Sequence, residues 1–174
     1  DQGLDAALEA FGLGELQGKP AAEVIARIAE HLAEDLPGTQ GEILTAALRE
    51  AIFEVATLEG DRSYQALEAS LQAFLTREGV EGLIECFLSR IVFDRVWFHV
   101  ESHVQKKADG TDGQALASAV EQSIKGHVRS LIEEQKAAGR FERLDWFGAA
   151  GYRFGQDIAT ELEARLRALH TPRS

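Results

Sequence analysis

The chain contains very little cysteine, methionine and proline. Its 174 residues include one cysteine, no methionine and three prolines, and aromatic residues make up 7%. A single cysteine, Cys86, excludes an intrachain disulfide and is typical of proteins in a reducing cytosol. Its apolar neighbours predict a buried, unreactive thiol. Because no initiator methionine is present, we expect that the chain begins inside a longer gene product.

Long apolar runs are also missing. Near the middle of the chain, the run Ile91-Val92-Phe93 is ended by Asp94 and Arg95, whereas a membrane-spanning helix needs roughly 20 apolar residues. No signal peptide pattern is visible. The length of the chain and its hydrophobic content of 45% instead predict one globular domain over residues 1–174 in the cytoplasm.

Charge is distributed unevenly along the chain, whose formal net charge is -11. Residues 1–79 contain 5 Lys/Arg against 15 Asp/Glu, whereas residues 80–174 contain 13 against 14. An acidic surface repels the phosphates of naked nucleic acid and favours a basic protein partner. The alternative is that the acidic excess only keeps the domain soluble.

Helical periodicity covers nearly the whole sequence. Apolar residues recur at spacings of three and four, and the pattern is interrupted at Pro37-Gly38, Gly60, Gly79 and Gly139. No stretch alternates for long enough to predict a strand. From Val80 to about Lys107, apolar residues occupy almost the whole helix circumference, as in a buried helix. The sequence therefore predicts an all-α, single-domain bundle of about six or seven helices around this long buried central helix.

Local signals make more specific predictions. Pro20 suits the first position of a helix, where a missing N–H costs nothing. Either Asp61 or Ser63 can cap the helix that follows. Asp94 and Arg95 lie inside the apolar helix, so we expect them to be paired structural charges, because an unpaired charge there would be costly.

A phosphate-binding loop is excluded near the start of the chain. The glycine-rich stretch 12–18 precedes Lys19, but the spacing of the motif fails. The glycine required five residues before the Gly-Lys pair is Leu13, and the Ser or Thr required after the lysine is Pro20.

A metal site is the main catalytic alternative. His99 and His103 lie four residues apart on the predicted central helix and could face a metal together, with His127 as the candidate third ligand. Glu101 between them has the wrong offset for the zinc-protease arrangement. The favoured interpretation is that both histidines are structural or lie at the solvent edge, which leaves a metal-dependent helical enzyme as the alternative.

Other catalytic signatures are absent from the sequence. No histidine is followed by aspartate, no serine has the flanking glycines of a nucleophile elbow, and the loop with Asp109 and Asp112 lacks calcium-ligand spacing. Many carboxylates, such as Glu30, Glu34 and Glu50, fall on helix faces where we expect them to be solvated. We therefore expect a protein without catalytic residues, a bound metal or a cofactor.

One segment combines aromatic residues and arginines outside a plain helical stripe, a composition that is typical of interface hot spots. Its candidate contact residues are Arg140, Phe141, Arg143, Trp146, Phe147, Tyr152 and Arg153. The alternative is that these residues close one end of the bundle, with Asp145 capping the last helix.

The run from Phe11 to Ile25 resembles the start of the helical region of the QatB family, and so does its continuation through Leu36-Pro37-Gly38-Thr39 into the next apolar helix. The likeness rests on the turn Leu16-Gln17-Gly18-Lys19-Pro20-Ala21, a Leu-x-Gly-x-Pro-Ala pattern, and on the order of helices. QatB proteins are the B component of the Qat anti-phage defence system.

The resemblance implies a bacterial cytosolic protein encoded beside an ATPase, a QueC-like enzyme (QatC) and a TatD-like nuclease. It also implies docking to the QueC-like enzyme, which would modify the N-terminus of the protein with a deazapurine. In the family, a glycine- and serine-rich head precedes the helical region, so the modified residue is expected outside these 174 positions. No catalytic residue is carried over, because the matching motif is a structural turn.

Three functions are thus in competition. The first is a non-enzymatic docking module of the defence complex that contacts its partner through the acidic residues 1–79 or through the segment 140–153. The second is the metal-dependent enzyme that uses His99 and His103. The third is a self-associating structural protein.

Overall fold

The computed structural model of the chain describes residues 3–56, 58, 60–104 and 110–170, with side chains for all of these except 98–104, 110–113 and 166–170. Within these ranges the secondary structure is entirely helical, with no β-strand, and the all-α prediction is confirmed. The α-helices are α1 (Leu4–Ala10), α2 (Ala21–Leu32), α3 (Thr39–Ala56), α4 (Tyr64–Val104), α5 (Gly110–Ala137) and α6 (Ala149–His170), and short 3-10 helices occupy Gly14–Leu16 and Phe141–Arg143.

The chain divides into two compact units, an N-terminal unit of Asp1–Phe87 and a C-terminal unit of Leu88–Ser174. The boundary lies inside α4. The extent of the single domain predicted over residues 1–174 stays a prediction.

The core of the N-terminal unit forms where α2 and α3 pack together. Val24 and Ile25 on α2 are completely buried, as expected from the three- and four-residue spacing of its apolar side chains. The buried cluster consists of Leu8, Leu13, Leu16, Ala21, Val24, Ile25, Ile52, Ala56, Tyr64 and Leu67. Helices α1 to α4 and the turn before α2 all contribute to this core.

The turn before α2 is built from the Leu-x-Gly-x-Pro-Ala pattern. Leu16 is buried in the core, and Gly18 has a φ of 74°, a conformation that favours glycine. Pro20 immediately precedes the helix, one position earlier than predicted. The buried Ala21 donates its N–H to the backbone oxygen of Arg62 at 3.0 Å. The pattern therefore connects the buried Leu16 to the buried Ala21, at which α2 begins.

Helix α1 is joined to the start of α4 by two hydrogen bonds. The Tyr64 hydroxyl donates to Asp5 Oδ1 at 2.5 Å, and the backbone N–H of Leu4 donates to Glu68 Oε1 at 3.2 Å. Burial of the phenol, together with the Asp5 carboxylate, raises the pKa of Tyr64. Both donors are neutral, so these two contacts hold carboxylates in place without cancelling their charge.

Helix α4 begins with the cap expected from the sequence. The Ser63 hydroxyl accepts the N–H of Ala66 at 3.2 Å, and Asp61 Oδ1 accepts the N–H of Ser63 at 2.9 Å. Ser63 is thus the cap of the helix, while Asp61 stabilises the turn that leads into it. The hydrogen bond from Ser63 lowers the pKa of Asp61.

The interruption predicted at Gly79 is present as a break within α4. Gly79 has φ 69° and ψ -177° and separates residues 64–78 from residues 80–104. In the second segment the described apolar side chains from 83 to 97 are buried or half-buried, whereas Val80 is exposed. The predicted end of this helix near Lys107 lies outside the described residues. Cys86 is half-buried, so its thiol is more exposed than the predicted buried thiol.

In the C-terminal unit, the second segment of α4, helix α5, helix α6 and the turn between α5 and α6 all carry buried apolar side chains. These side chains include Leu88, Ile91, Val92, Val96, Ile124, Val128, Ile132, Trp146, Tyr152, Ile158 and Ala159. Gly155 on α6 allows close approach of α4, because a β-carbon there would lie 3.0 Å from Cγ2 of Ile91. A larger residue at this position would push the two helices apart.

Candidate protein-interaction surface

The segment that combines aromatic residues and arginines begins where α5 ends. Gly139 has a φ of 64° and donates its N–H to the oxygen of Lys136, while Arg140 donates to the oxygen of Gln135 at 3.0 Å. These two bonds form a Schellman motif, in which a left-handed glycine ends the helix. The predicted end of the helix at Gly139 is confirmed, and the motif sets the direction in which the chain leaves α5.

Trp146 is the anchor of this segment. Its side chain is only 5% exposed, and its indole N–H donates to the backbone oxygen of Phe141 at 2.8 Å. Its ring contacts Phe141 at 5.1 Å and Phe154 edge-on at 5.3 Å between ring centroids. A buried indole with its one donor satisfied and aromatic rings on two sides holds the turn rigidly.

Two glycines make the tight connection from Trp146 into α6. Gly151 donates its N–H to the oxygen of Asp145 at 3.0 Å, and a β-carbon at Gly151 would overlap the backbone oxygen of Trp146. A β-carbon at Gly148 would overlap the Asp145 carboxylate. Both glycines are buried, so the turn depends on side chains being absent at these positions.

The arginines of the segment lie on its outside. Arg140, Arg143 and Arg153 are exposed, whereas Trp146 and Tyr152 are buried and Phe141 and Phe147 are half-buried. The aromatic side chains therefore support the turn from within, and the arginines are the part that a partner can reach. The contact role predicted for these residues stays a prediction.

A second polar cluster, which sequence reasoning did not find, lies on α4 and α6. Arg95 Nε donates to Oε1 of the buried Glu163 at 2.9 Å, and its Nη1 donates to the side-chain oxygen of Gln156. Arg95 is thus paired as predicted. Asp94 is exposed, so the burial cost that motivated its predicted pairing does not apply to it. Glu163 follows Arg95 by 68 residues, and no local spacing connects them.

The histidines of the metal hypothesis are only partly described. The side chains of His99 and His103 lie outside the described residues. His127 is half-buried, with its Nε2 atom buried and without a hydrogen-bond partner. Among the side chains that the structure describes, no group of three or more His, Cys, Asp or Glu is arranged to hold a metal ion.

Comparison with known families supports the resemblance to the QatB family that the turn before α2 suggested. The family described as Qat anti-phage system associated protein QatB matches residues 1–144. The chain belongs to the QatB family. Searches of curated proteins and of solved structures gave no match.

Membership of the QatB family makes this chain a component of the Qat anti-phage system, with partner proteins in that system. The match spans the whole N-terminal unit and continues to Leu144. It therefore includes Arg140 and Arg143 of the arginine segment, whereas Trp146 and Arg153 follow it. In the described part of this QatB-family chain, no helix is both long and apolar enough to cross a bilayer.

Proposed function

We propose that this chain is a non-enzymatic helical interaction subunit that docks the QueC-like partner of the Qat system through the exposed arginines 140, 143 and 153. The observation that carries the proposal is the separation of roles in the segment: buried Trp146 fixes the turn, and the arginines project from it. Because the chain belongs to the QatB family, we look for the partner among the other proteins of the Qat system.

The physical chemistry of the segment suits recognition of a carboxylate-bearing surface. A guanidinium group presents several donors in a planar fork and binds carboxylates with two parallel hydrogen bonds. Because the turn is already held by buried contacts, little backbone freedom is lost on binding. Arg140, Arg143 and Arg153 thus present their charges from a backbone that is already ordered before the partner binds.

The proposal includes a second role, as the substrate of the QueC-like enzyme. In this role the enzyme modifies the N-terminus of the full-length protein, and the helical region supplies the docking surface. The support for this role is the likeness to the QatB family. Mass spectrometry of the full-length N-terminus, with and without the QueC-like enzyme, tests it: the expected result is a deazapurine adduct only in the presence of the enzyme.

Docking is tested by measuring the affinity of the full-length protein for the purified QueC-like enzyme. We expect the triple variant R140A/R143A/R153A to bind at least about tenfold more weakly, because hot-spot arginines each contribute on the order of 1 kcal/mol or more. The matched control is R27A/R62A/R77A, which removes the same charge from exposed positions of the N-terminal unit.

Three results would contradict the proposal. No complex at micromolar concentration would refute docking, and equal weakening by both triple variants would reduce the effect to net charge. Stoichiometric zinc or iron in the purified protein, with loss of phage protection in a H99A/H103A variant that remains folded, would replace docking with the metal-dependent enzyme.

A further inference from the structure

Helix α3 has an outward face that the core of the N-terminal unit does not use. Its inward side chains Leu44, Ala47, Leu48, Ala51, Ile52, Val55 and Ala56 are buried. On the opposite side, Ile43 is 43% exposed and Phe53 is 39% exposed, although both are large and apolar. Helix α3 therefore packs one apolar face against the core and carries two further large apolar side chains on its solvent-exposed face.

The exposed apolar residues follow the spacing of a helix-pairing seam. Ile43, Ala46, Glu50 and Phe53 are separated by three, four and three residues, and all four are exposed. This is the spacing of alternating a and d positions in a heptad repeat. Along the helix axis the seam is about 15 Å long, at 1.5 Å per residue, which is the length of two to three turns of a partner helix.

The charges around the seam define the partner. Glu50 lies within the seam, and two further exposed carboxylates, those of Glu42 and Glu54, flank it together with one arginine, Arg49. Residues 1–79 as a whole contain 15 Asp/Glu against 5 Lys/Arg. A second copy of α3 would bring like charges face to face, and nucleic acid would be repelled. The complementary occupant is a helix with an apolar stripe flanked by Lys or Arg.

We propose that the α3 seam, formed by Ile43, Ala46, Glu50 and Phe53, binds a basic amphipathic helix of another protein of the Qat system. Phe53 and Ile43 pack against the apolar stripe of that helix, as in the pairing of two helices along a heptad seam. Glu50, in the middle of the seam, pairs with one of its basic residues and sets the register. The inference rests on the proposed function only in placing the partner in the same system, because the seam and the arginine segment have no residue in common.

The test places a photo-crosslinking amino acid at Ala46 in the full-length protein, in cells that express the complete defence system. Ala22, an exposed alanine on α2, is the control position. We expect a crosslink at position 46 and not at position 22. Sequencing of the crosslinked peptide should identify an amphipathic helical segment with Lys or Arg in a protein other than this chain.

Charge reversal at the seam then measures complementarity. With the crosslinker at position 46, Glu50→Lys should lower the crosslink yield about tenfold, because attraction to a basic residue is replaced by repulsion. Glu50→Gln should lower it less. Glu23→Lys, an exposed reversal on α2, should leave it unchanged. Circular dichroism confirms that each variant is folded.

Each outcome decides the proposal. No crosslink at position 46, a crosslink to an acidic segment, to nucleic acid or to a second copy of this chain, or insensitivity to Glu50→Lys would overturn it. A crosslink to the ATPase or the nuclease, together with failure of the QueC-like enzyme to bind, would refute the proposed docking and leave the α3 seam standing. Binding of the QueC-like enzyme without a crosslink at position 46 would support the proposed docking and overturn the α3 seam.

Discussion

Local Arg–Glu pairs occur in both units of this protein, for example Arg27–Glu30 and Arg165–Glu161, but the described long-range contacts of carboxylates differ between the units. In the N-terminal unit, Asp5 is bound by the neutral hydroxyl of Tyr64 and Glu68 by the backbone N–H of Leu4. In the C-terminal unit, the buried Glu163 is bound by the guanidinium of Arg95. Neutral donors fix a carboxylate and preserve its charge, whereas an arginine cancels it. The difference shows how hydrogen bonds from neutral donors can join α1 to α4 in the N-terminal unit and leave its surface acidic.

The largest effect on stability is expected at the pair in which Arg95 neutralises the charge of Glu163. Arg95→Ala would remove the guanidinium that binds the buried Glu163 carboxylate. We expect the free energy of unfolding to fall by about 2 kcal/mol, less than for a fully buried pair because Arg95 is partly exposed. Urea unfolding followed by circular dichroism measures it.

The control for Arg95 is Arg165→Ala, which removes an arginine paired with Glu161 on the surface of α6. An exposed pair contributes little, so this change should stay within about 0.5 kcal/mol. Similar losses for the two variants would show that burial of Glu163 adds nothing to its pairing with Arg95.

A smaller effect is expected where a neutral donor holds the acid. Tyr64→Phe should cost about 1 kcal/mol, the usual net value of one hydrogen bond. Because the pKa of Tyr64 is raised in the folded state, the stabilisation is complete below pH 10 and is lost as the pH rises above 10, where the unfolded chain releases the phenol proton first. The wild-type advantage over Tyr64→Phe should therefore be present at pH 8 and reduced at pH 11 in urea unfolding. An advantage that is equal at both pH values would refute the tie to Asp5.

The smallest effect is expected at the exposed turn before α4. The lowered pKa of Asp61 means that its stabilisation is present above pH 4 and is lost as the pH falls through the folded pKa. Asp61→Asn keeps a side-chain oxygen that can accept the N–H of Ser63, so the melting temperature should be unchanged at pH 7 and should fall less on acidification. Asp35→Asn, which alters another exposed carboxylate, should retain the wild-type acid response. An equal change in both variants would remove the role assigned to Asp61.

Helix boundaries were the part of the fold most accessible from the sequence. The breaks at Gly79 and Gly139 and the cap at Ser63 are all present. Each follows from a local rule: glycine adopts a positive φ that other residues avoid, and a serine hydroxyl satisfies an open N–H of the first turn. The QatB resemblance was accessible for the same reason, because it rests on a short turn and on the order of the helices.

Partners distant in sequence were not accessible. Nothing near Arg95 indicates Glu163, and the sequence alone did not show that Trp146 lies inside the turn while the arginines face outwards. The sequence also did not show that Ile43 and Phe53 on α3 are exposed. Their exposure depends on which face of α3 packs on α2.

The sequence by itself determined that this protein is helical, where its helices are interrupted and that its first 79 residues are acidic, because backbone preference and charge are properties of single residues and their near neighbours. Tertiary structure decided which carboxylates contact a neutral donor and which contact an arginine, which aromatic side chains are buried and which apolar residues of α3 face the solvent. These outcomes depend on contacts between residues far apart in the chain, and only packing brings those residues together.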